Sequence, residues 1–289
     1  MPTKNAMEKK EETTCCVTTC GLPLNANFWD NQYQNNETGW DLNGVSPPLK
    51  SFIDTLTDKA MRILIPGCGN AYEAEYLVQQ GFTNVTLIDI SSTLVQRLSD
   101  KFQGKPIRIL HGDFFEHRET YDLILEQTFF CAINPSLRQR YAAKTFQLLN
   151  KGGRIAGLLF NVIFEKAGPP FGGQREDYVK LFEPLYTLKQ FDTCTNSIKP
   201  RMGNELFIEM EKKDIVAECV ALYTVSGITC TGCVNSVSSA LSKVEGVTAV
   251  SVNTDFTEVL VVSSVPVSLE NLSRALAFNS TYQLKTTTL

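Results

Sequence analysis

At 289 residues the chain has room for one large domain, or for a medium domain with a small companion, and its 43% hydrophobic content supplies a core. A net charge of −4 without a basic block argues against a nucleic-acid partner, and the absence of an 18-residue apolar run argues against a membrane span. Nine cysteines behind a polar N-terminus with no signal-peptide stretch point to reduced thiols in the cytoplasm, not to a disulfide framework.

Residues 1–27 read as a flexible, charged leader carrying Cys15, Cys16 and Cys20. Clustered thiols can bind a soft metal, but no His or second cysteine pair completes a ligand set here, which favours unemployed tail thiols. From Asn27 the chain turns aromatic: Phe28-Trp29-Asp30, Tyr33, then Gly39-Trp40-Asp41, with both tryptophans of the protein inside twelve residues. Such rings are either core and lid residues or faces that attract a sulfonium by cation–π contact, worth about 0.5–2 kcal/mol.

Residues 62–91 then read as a strand, a glycine turn, a helix and a second strand. Arg62-Ile63-Leu64-Ile65 is a short apolar run, and Pro66-Gly67-Cys68-Gly69-Asn70-Ala71 turns out of it. The pattern predicts a helix over 72–80, with Gly81 at a left-handed C-terminal cap. A strand over 85–90 carries Asp89 near its end, 22 residues beyond Gly67. A glycine turn lets backbone approach a ligand, and an acid about 20 residues on can accept both ribose hydroxyls, so the ligand expected is a nucleoside cofactor. Tyr72 stands where a dinucleotide fingerprint needs its third glycine, which disfavours NAD or FAD and suits S-adenosylmethionine, a nucleoside without phosphates.

The alternation continues. Ser91 or Ser92 caps a helix, 107–110 is a third strand leading into Gly112-Asp113-Phe114-Phe115, and 121–126 is a fourth leading into Gln127. Pro135 starts a helix to about Leu149, and Lys151-Gly152-Gly153 turns into a strand over 154–160. The pattern is α/β, a mostly parallel sheet covered on both faces, with ligands beyond the carboxyl ends of its strands. Gly67, Asp89, Asp113 and Gln127 therefore share one edge. A glycine- and proline-rich loop over 161–174 is either a surface connection or a lid. A helix over 177–183 and strands over 186–191 and 205–210 complete the unit. His111 and His117 read as structural, Cys68 and Cys131 as small apolar fillers, and Glu126 and Arg138 as flanking the mouth of the site.

These segments resemble the thiopurine methyltransferase superfamily, and within it the plant-type halide/thiol methyltransferase branch. The likeness rests on Gly39-Trp40-Asp41 with Pro47, Ile65-Pro66-Gly67-Cys68-Gly69, Leu87-Ile88-Asp89-Ile90-Ser91 and Gly112-Asp113-Phe114-Phe115. It continues through Phe129-Phe130-Cys131-Ala132-Ile133 with Pro135 and Arg138, and Gly168-Pro169-Pro170-Phe171, and it covers about residues 28–210. The resemblance implies a Rossmann-like, seven-stranded methyltransferase. It also implies that Trp29, Tyr33, Trp40, Gly67, Asp89, Asp113, Phe114 and Gln127 surround S-adenosylmethionine and that the 161–174 loop is a lid. Asn70-Ala71 replaces glycines of the plant enzymes, Tyr33 replaces Trp and Gln127 replaces Tyr.

After Glu211-Lys212-Lys213-Asp214 the chain loses most of its Lys and Arg. Strands at 221–225, 247–252, 258–262 and 282–284 and helices after Cys233 and at 269–278 predict a βαββαβ, ferredoxin-like α+β unit. This stretch resembles the heavy-metal-associated domain, through Gly227-Ile228-Thr229-Cys230-Thr231-Gly232-Cys233 and Glu245-Gly246-Val247. Cys230 and Cys233 on a loop and first helical turn can hold Cu(I) or a similar soft ion, because a helix N-terminus favours thiolates.

The expected organisation is thus a leader at 1–27, a methyltransferase at 28–213 and a metal-binding unit at 214–289. The expected reaction is methyl transfer from S-adenosylmethionine to a small soft nucleophile: a thiol, hydrosulfide, halide or chalcogen oxyanion. No general base motif is evident and little general-base help is needed, since a minority of free thiols, with a pKa of about 8.5, is already ionised near neutrality. The alternative is a soft-metal-binding protein whose larger domain only senses cofactor. A cytoplasmic monomer with no membrane or nucleic-acid partner is expected.

Overall fold

The computed structural model describes residues 23–166 and 168–287, and Cys15, Cys16 and Cys20 lie outside that range. Two helices open the described chain that the sequence pattern did not announce. The first is α1 (Ala26–Gln34), capped by Asn25, whose Oδ1 accepts the Phe28 N–H at 3.1 Å. The second is α2 (Pro47–Asp54), which begins with proline, pre-set for a first helical turn, and buries Leu49, Phe52 and Ile53.

The sheet alternates as expected: β1 (Ile63–Pro66), α3 (Tyr72–Gln79), β2 (Val85–Asp89), α4 (Ser92–Lys101), β3 (Ile107–His111) and β4 (Tyr121–Gln127). Then come α5 (Arg138–Leu148), β5 (Leu149–Phe160), α6 (Arg175–Phe182), β6 (Tyr186–Thr193) and β7 (Glu205–Lys212). The strand order is β3-β2-β1-β4-β5-β7-β6, with β7 antiparallel to both neighbours and the other pairs parallel. Strands buried on both faces read as continuous apolar runs, and they feed two cores. Leu64, Ile124 and Ile155 meet α5 and α6 through Tyr141, Phe146 and Phe182. Ile63, Ile65, Leu87 and Leu123 meet α2, α3 and α4 through Ile53, Leu77 and Leu94.

Two local details differ from expectation. The helix expected from Pro135 is a 3-10 turn over Pro135–Leu137 followed by α5, because Asn134 caps the short turn by accepting the Ser136 N–H at 3.0 Å. The turn at Gly152 lies inside β5, as a left-handed residue where the β4–β5 register shifts.

The second unit runs β8 (Val220–Ser226), α7 (Thr231–Leu241), β9 (Val247–Val252), β10 (Glu258–Ser263), α8 (Leu269–Ala275) and β11 (Gln283–Thr286). It is the βαββαβ unit expected, with an antiparallel sheet in the order β11-β8-β10-β9. One sheet face, with Tyr223, Val225, Val259 and Val261, packs on its own helices. The other, with Val220, Leu222, Leu260 and Val262, joins the core cluster that contains Tyr141, Ala143 and Phe146 of α5. A two-layer unit of this kind leaves one apolar face to cover. Here α5 covers it, and each buried Val or Leu is worth about 1.5–3 kcal/mol relative to exposure, as an upper bound.

Candidate active site

The carboxyl ends of the parallel strands surround a cavity of about 380 Å³, a size within the usual range for small-ligand sites. All eight residues expected at the cofactor site line it: Trp29, Tyr33, Trp40, Gly67, Asp89, Asp113, Phe114 and Gln127.

Gly67 leaves β1 with a left-handed φ of +53°, and a Cβ there would lie 2.3 Å from Phe129 Cδ2. The left-handed backbone favours glycine, and the closeness of Phe129 leaves no room for a Cβ. Ala71, also left-handed at φ +55°, starts α3. Asn70, where the plant enzymes carry glycine, donates from its side chain to Asp41, tying the turn to the Trp40 segment.

Asp89 ends β2, and its Oδ1 accepts the Ser91 N–H at 2.9 Å. Burial pushes its carboxyl up to about 6; the Ser91 N–H opposes that rise and the nearby Asp30 charge adds to it. Asp30 itself was not singled out from the sequence, yet it secures the aromatic helix. Its carboxylate accepts Ser91 Oγ at 2.6 Å, Ser92 Oγ at 3.0 Å and the Thr93 N–H at 2.9 Å, while Arg97 donates to Tyr33 O at 3.0 Å. α1 is thereby held over Asp89. Trp40 packs nearly perpendicular to Trp29 and Tyr33, with ring centroids 5.6 and 5.9 Å away, and Arg201 donates to Trp40 O at 3.0 Å.

On the other side, Asp113 accepts the Phe115 N–H at 2.8 Å and so closes the short turn carrying Phe114. Phe114 packs edge-on against Phe129, centroids 5.2 Å apart. Gln127 ends β4 with a buried Oε1 that has no hydrogen-bond partner among the described residues. Among the described residues the lining holds Asp41, Glu73, Asp89 and Asp113 and no Lys, Arg or His. Four carboxyl groups without a cation suit a positively charged ligand and disfavour a pyrophosphate.

Two residues expected at the mouth are elsewhere. Glu126 is 0% exposed and points into the core, where it accepts Tyr141 Oη–H at 2.6 Å and the Phe130 N–H at 3.0 Å. Alternation along β4 sends it to the opposite face from Gln127, and burial raises its carboxyl to about 7. Arg138 lies over the rings of Phe130 and Tyr178 and donates to Gly172 O at 2.9 Å. It thereby anchors the 161–174 loop, together with the Phe171 N–H, which donates to Cys131 O at 2.6 Å. No described residue of that loop lines the cavity. Cys68 and Cys131 are buried, and burial pushes both thiols up, as fillers rather than nucleophiles. His111 contacts Ile90 O and His117 stacks on Tyr121.

The second candidate site lies at the start of α7. Cys230 is its cap residue, and the Sγ atoms of Cys230 and Cys233 are 3.3 Å apart. The Cys233 thiol is pulled down to about 6, first by the backbone at Thr229, then by the Tyr282 hydroxyl and Cys230. Ile228 packs beneath the loop. Among the described residues no group of three or more His, Cys, Asp or Glu forms a metal cluster. The donor set is two adjacent thiols, which fits a soft ion of low coordination number.

Together the sheet order and this cavity define the class of doubly covered, mostly parallel-sheet methyltransferases. The chain belongs to the thiopurine S-methyltransferase family, whose family model matches residues 24–216, and residues 222–277 match the heavy-metal-associated domain. A probable thiol methyltransferase 2 of Arabidopsis thaliana is 33% identical over 163 residues, 54% of this chain and 72% of that protein. Thiocyanate methyltransferase 1 of Brassica oleracea is 26% identical over 184 residues, 61% and 81% of the two chains. In fold the chain is similar to the 1,6-didemethyltoxoflavin-N1-methyltransferase of Burkholderia thailandensis, solved with 1,6-didemethyltoxoflavin and S-adenosylhomocysteine bound. That likeness has a TM-score of 0.54 at 16% identity and covers 65% of this chain and 87% of the other. No helix among the described residues is long and apolar enough to cross a membrane.

Proposed function

We propose that residues 28–213 form an S-adenosylmethionine-dependent methyltransferase acting on a small soft nucleophile, and that 214–289 bind a soft metal ion through Cys230 and Cys233 in a cytoplasmic protein. The observation that carries the first part is the convergence of all eight expected residues on one cation-free, carboxylate-rich cavity. The cofactor fits what lies there: a glycine that admits close approach, a buried acid for the ribose, aromatic rings for a sulfonium and an unpartnered Gln127 Oε1 for a donor.

When bound, S-adenosylmethionine supplies an electrophilic methyl group on sulfur. Asp89 receives the ribose hydroxyls, Asp113 and Phe114 close the adenine side, and Trp29, Tyr33 and Trp40 cover the ligand against water. Gln127 stands beside the acceptor in place of the tyrosine of the plant enzymes. With no Lys, Arg or His among the described residues of the lining, the chain's contribution to the step is orientation and desolvation. A thiolate, hydrosulfide or halide is nucleophilic without help from a general base.

Calorimetry with S-adenosylhomocysteine, followed by product detection with iodide, hydrosulfide, small thiols and selenite, tests the reading. Methylated product from at least one acceptor is expected. Cofactor binding without turnover on any of them would favour a metal-binding protein with a sensing domain, and tight NADH binding in its place would overturn the cofactor assignment. Metal binding is tested separately, by Cu(I) titration against a competing chelator with the native chain and a Cys230→Ser/Cys233→Ser variant.

A further inference from the structure

The docked face of the second unit reaches further than a packing contact. Three consecutive attachments join the β9–β10 hairpin to the segment that opens α5. Asn253 donates from Nδ2 to Ser136 O at 3.1 Å, Gln139 donates from Nε2 to Ser251 Oγ at 3.2 Å and to Val252 O at 3.1 Å, and Arg140 pairs with Glu258. The first is the one nearest the cavity. Ser136 is the middle residue of the Pro135–Leu137 turn, and Ile133, Asn134 and Leu137 on either side of it line the cavity wall.

Asn253 is only 2% exposed, and its side chain is fully committed. Oδ1 accepts the N–H groups of Thr257 at 2.9 Å and Glu258 at 2.8 Å, while Nδ2 also meets Thr257 Oγ1 at 3.1 Å. Two N–H donors on one side settle which end of the amide is oxygen, so the other end must be the donor facing Ser136. Short 3-10 turns have few internal hydrogen bonds to hold them. This one is held at Ser136 N–H by Asn134 and at Ser136 O by a residue 117 positions away.

We propose that Asn253, contributed by the metal-binding unit, is a positioning residue of the methyltransferase cavity, fixing the 133–137 wall. The β9–β10 turn that carries Asn253 also touches the approach to the dithiol loop, because Thr257 O accepts the Val225 N–H at 2.8 Å near the end of β8. One hairpin thus grips the cavity wall with one side and the strand leading to Cys230 with the other.

The inference rests on the cavity being the cofactor site only for its ligand readout, so the test has two arms. Asn253→Asp keeps the acceptor for Thr257 and Glu258 but places an oxygen against Ser136 O; Asn253→Ser keeps an acceptor but is too short to reach Ser136. Val262→Ala, in the docked apolar face away from the turn, is the control for loosened packing. In the full-length chain, amide exchange over residues 133–138 is expected to speed up at least tenfold in the Asn253 variants and less than threefold in Val262→Ala. S-adenosylhomocysteine affinity or acceptor KM is expected to worsen at least fivefold in the Asn253 variants alone. Unchanged exchange in both, or equal effects in the control, overturns the proposal. Absence of ligand binding by the native chain sinks the cofactor reading instead, with the exchange arm still deciding the positioning role.

Discussion

The cavity and the dithiol loop treat ionisable groups in opposite ways. In the cavity and the strand ends beneath it, burial works against charge: Asp89 is raised to about 6, Glu126 to about 7, and the Cys68 thiol is pushed far up. On the exposed loop, hydrogen bonds work for charge, and Cys233 falls to about 6. Proximity to a helix start is common to Cys68 and Cys233; what differs is solvent. Burial holds the acids and the thiol at the cavity toward their neutral forms, whereas hydrogen bonds on the exposed loop favour a thiolate.

The strongest way to break this contrast is at Gly67. Gly67→Val drives a side chain into Phe129 and strains a left-handed residue, together about 3 kcal/mol or more. Calorimetry should show S-adenosylhomocysteine affinity falling roughly 100-fold, with Cu(I) binding at the loop unchanged.

Asp89→Asn should cost about 10- to 100-fold in affinity, as expected for removing a charged hydrogen-bond acceptor. A ligand that donates hydroxyls to Asp89 prefers its ionised form, so native affinity should fall as pH drops below about 6, and the variant's profile should be flat there. An unchanged slope in the variant would remove Asp89 from the ribose role.

Glu126→Gln sharpens the burial side without touching the cavity lining. A carboxyl raised to about 7 in the folded chain contributes stability that is complete below its unfolded value of 4.5 and is lost as pH rises through 7. Thermal unfolding of the ligand-free protein should therefore lose up to about 1.4 kcal/mol per pH unit from this group across that window. The variant should lose less between pH 5 and 8.

The smallest effect belongs to the loop. Carboxymethylation of Cys233 should reach half its maximal rate near pH 6, and Tyr282→Phe should move that midpoint upward by less than about one unit, as befits one of several hydrogen bonds. A midpoint near 8.5 in the native chain would show that the loop does not stabilise thiolate.

Much of this was readable along the chain. Buried strands such as Ile63–Pro66 and Val85–Asp89 are short apolar runs between turns, and residues at their carboxyl ends necessarily share an edge. The aromatic lead-in was visible, but its helix was not: α1 has one fully buried residue, so it carries no apolar stripe to announce it. Asp30 was not legible because its partners lie 61 to 63 positions on. Glu126 was misplaced at the mouth by proximity to Gln127, although the two-residue period of a strand already turns neighbours to opposite faces. Arg138 was misplaced because it stacks on Tyr178 of α6 and bonds Gly172 O, partners that lie well beyond it in the chain, the latter 34 positions on.

One clue to the docked unit lay unread in β10, where Val259-Leu260-Val261-Val262 is apolar on both faces, more than an open two-layer sheet requires. That run says the second face is covered, but not by what. Local order, the glycine turn, the acid after β2 and the paired thiols follow from neighbouring residues, because backbone sterics and strand or helix period act over a few positions. Which face of α5 meets the second sheet, and that Asn253 reaches the cavity wall, were decided only by tertiary packing, because contacts across more than a hundred residues leave no periodic trace in the chain.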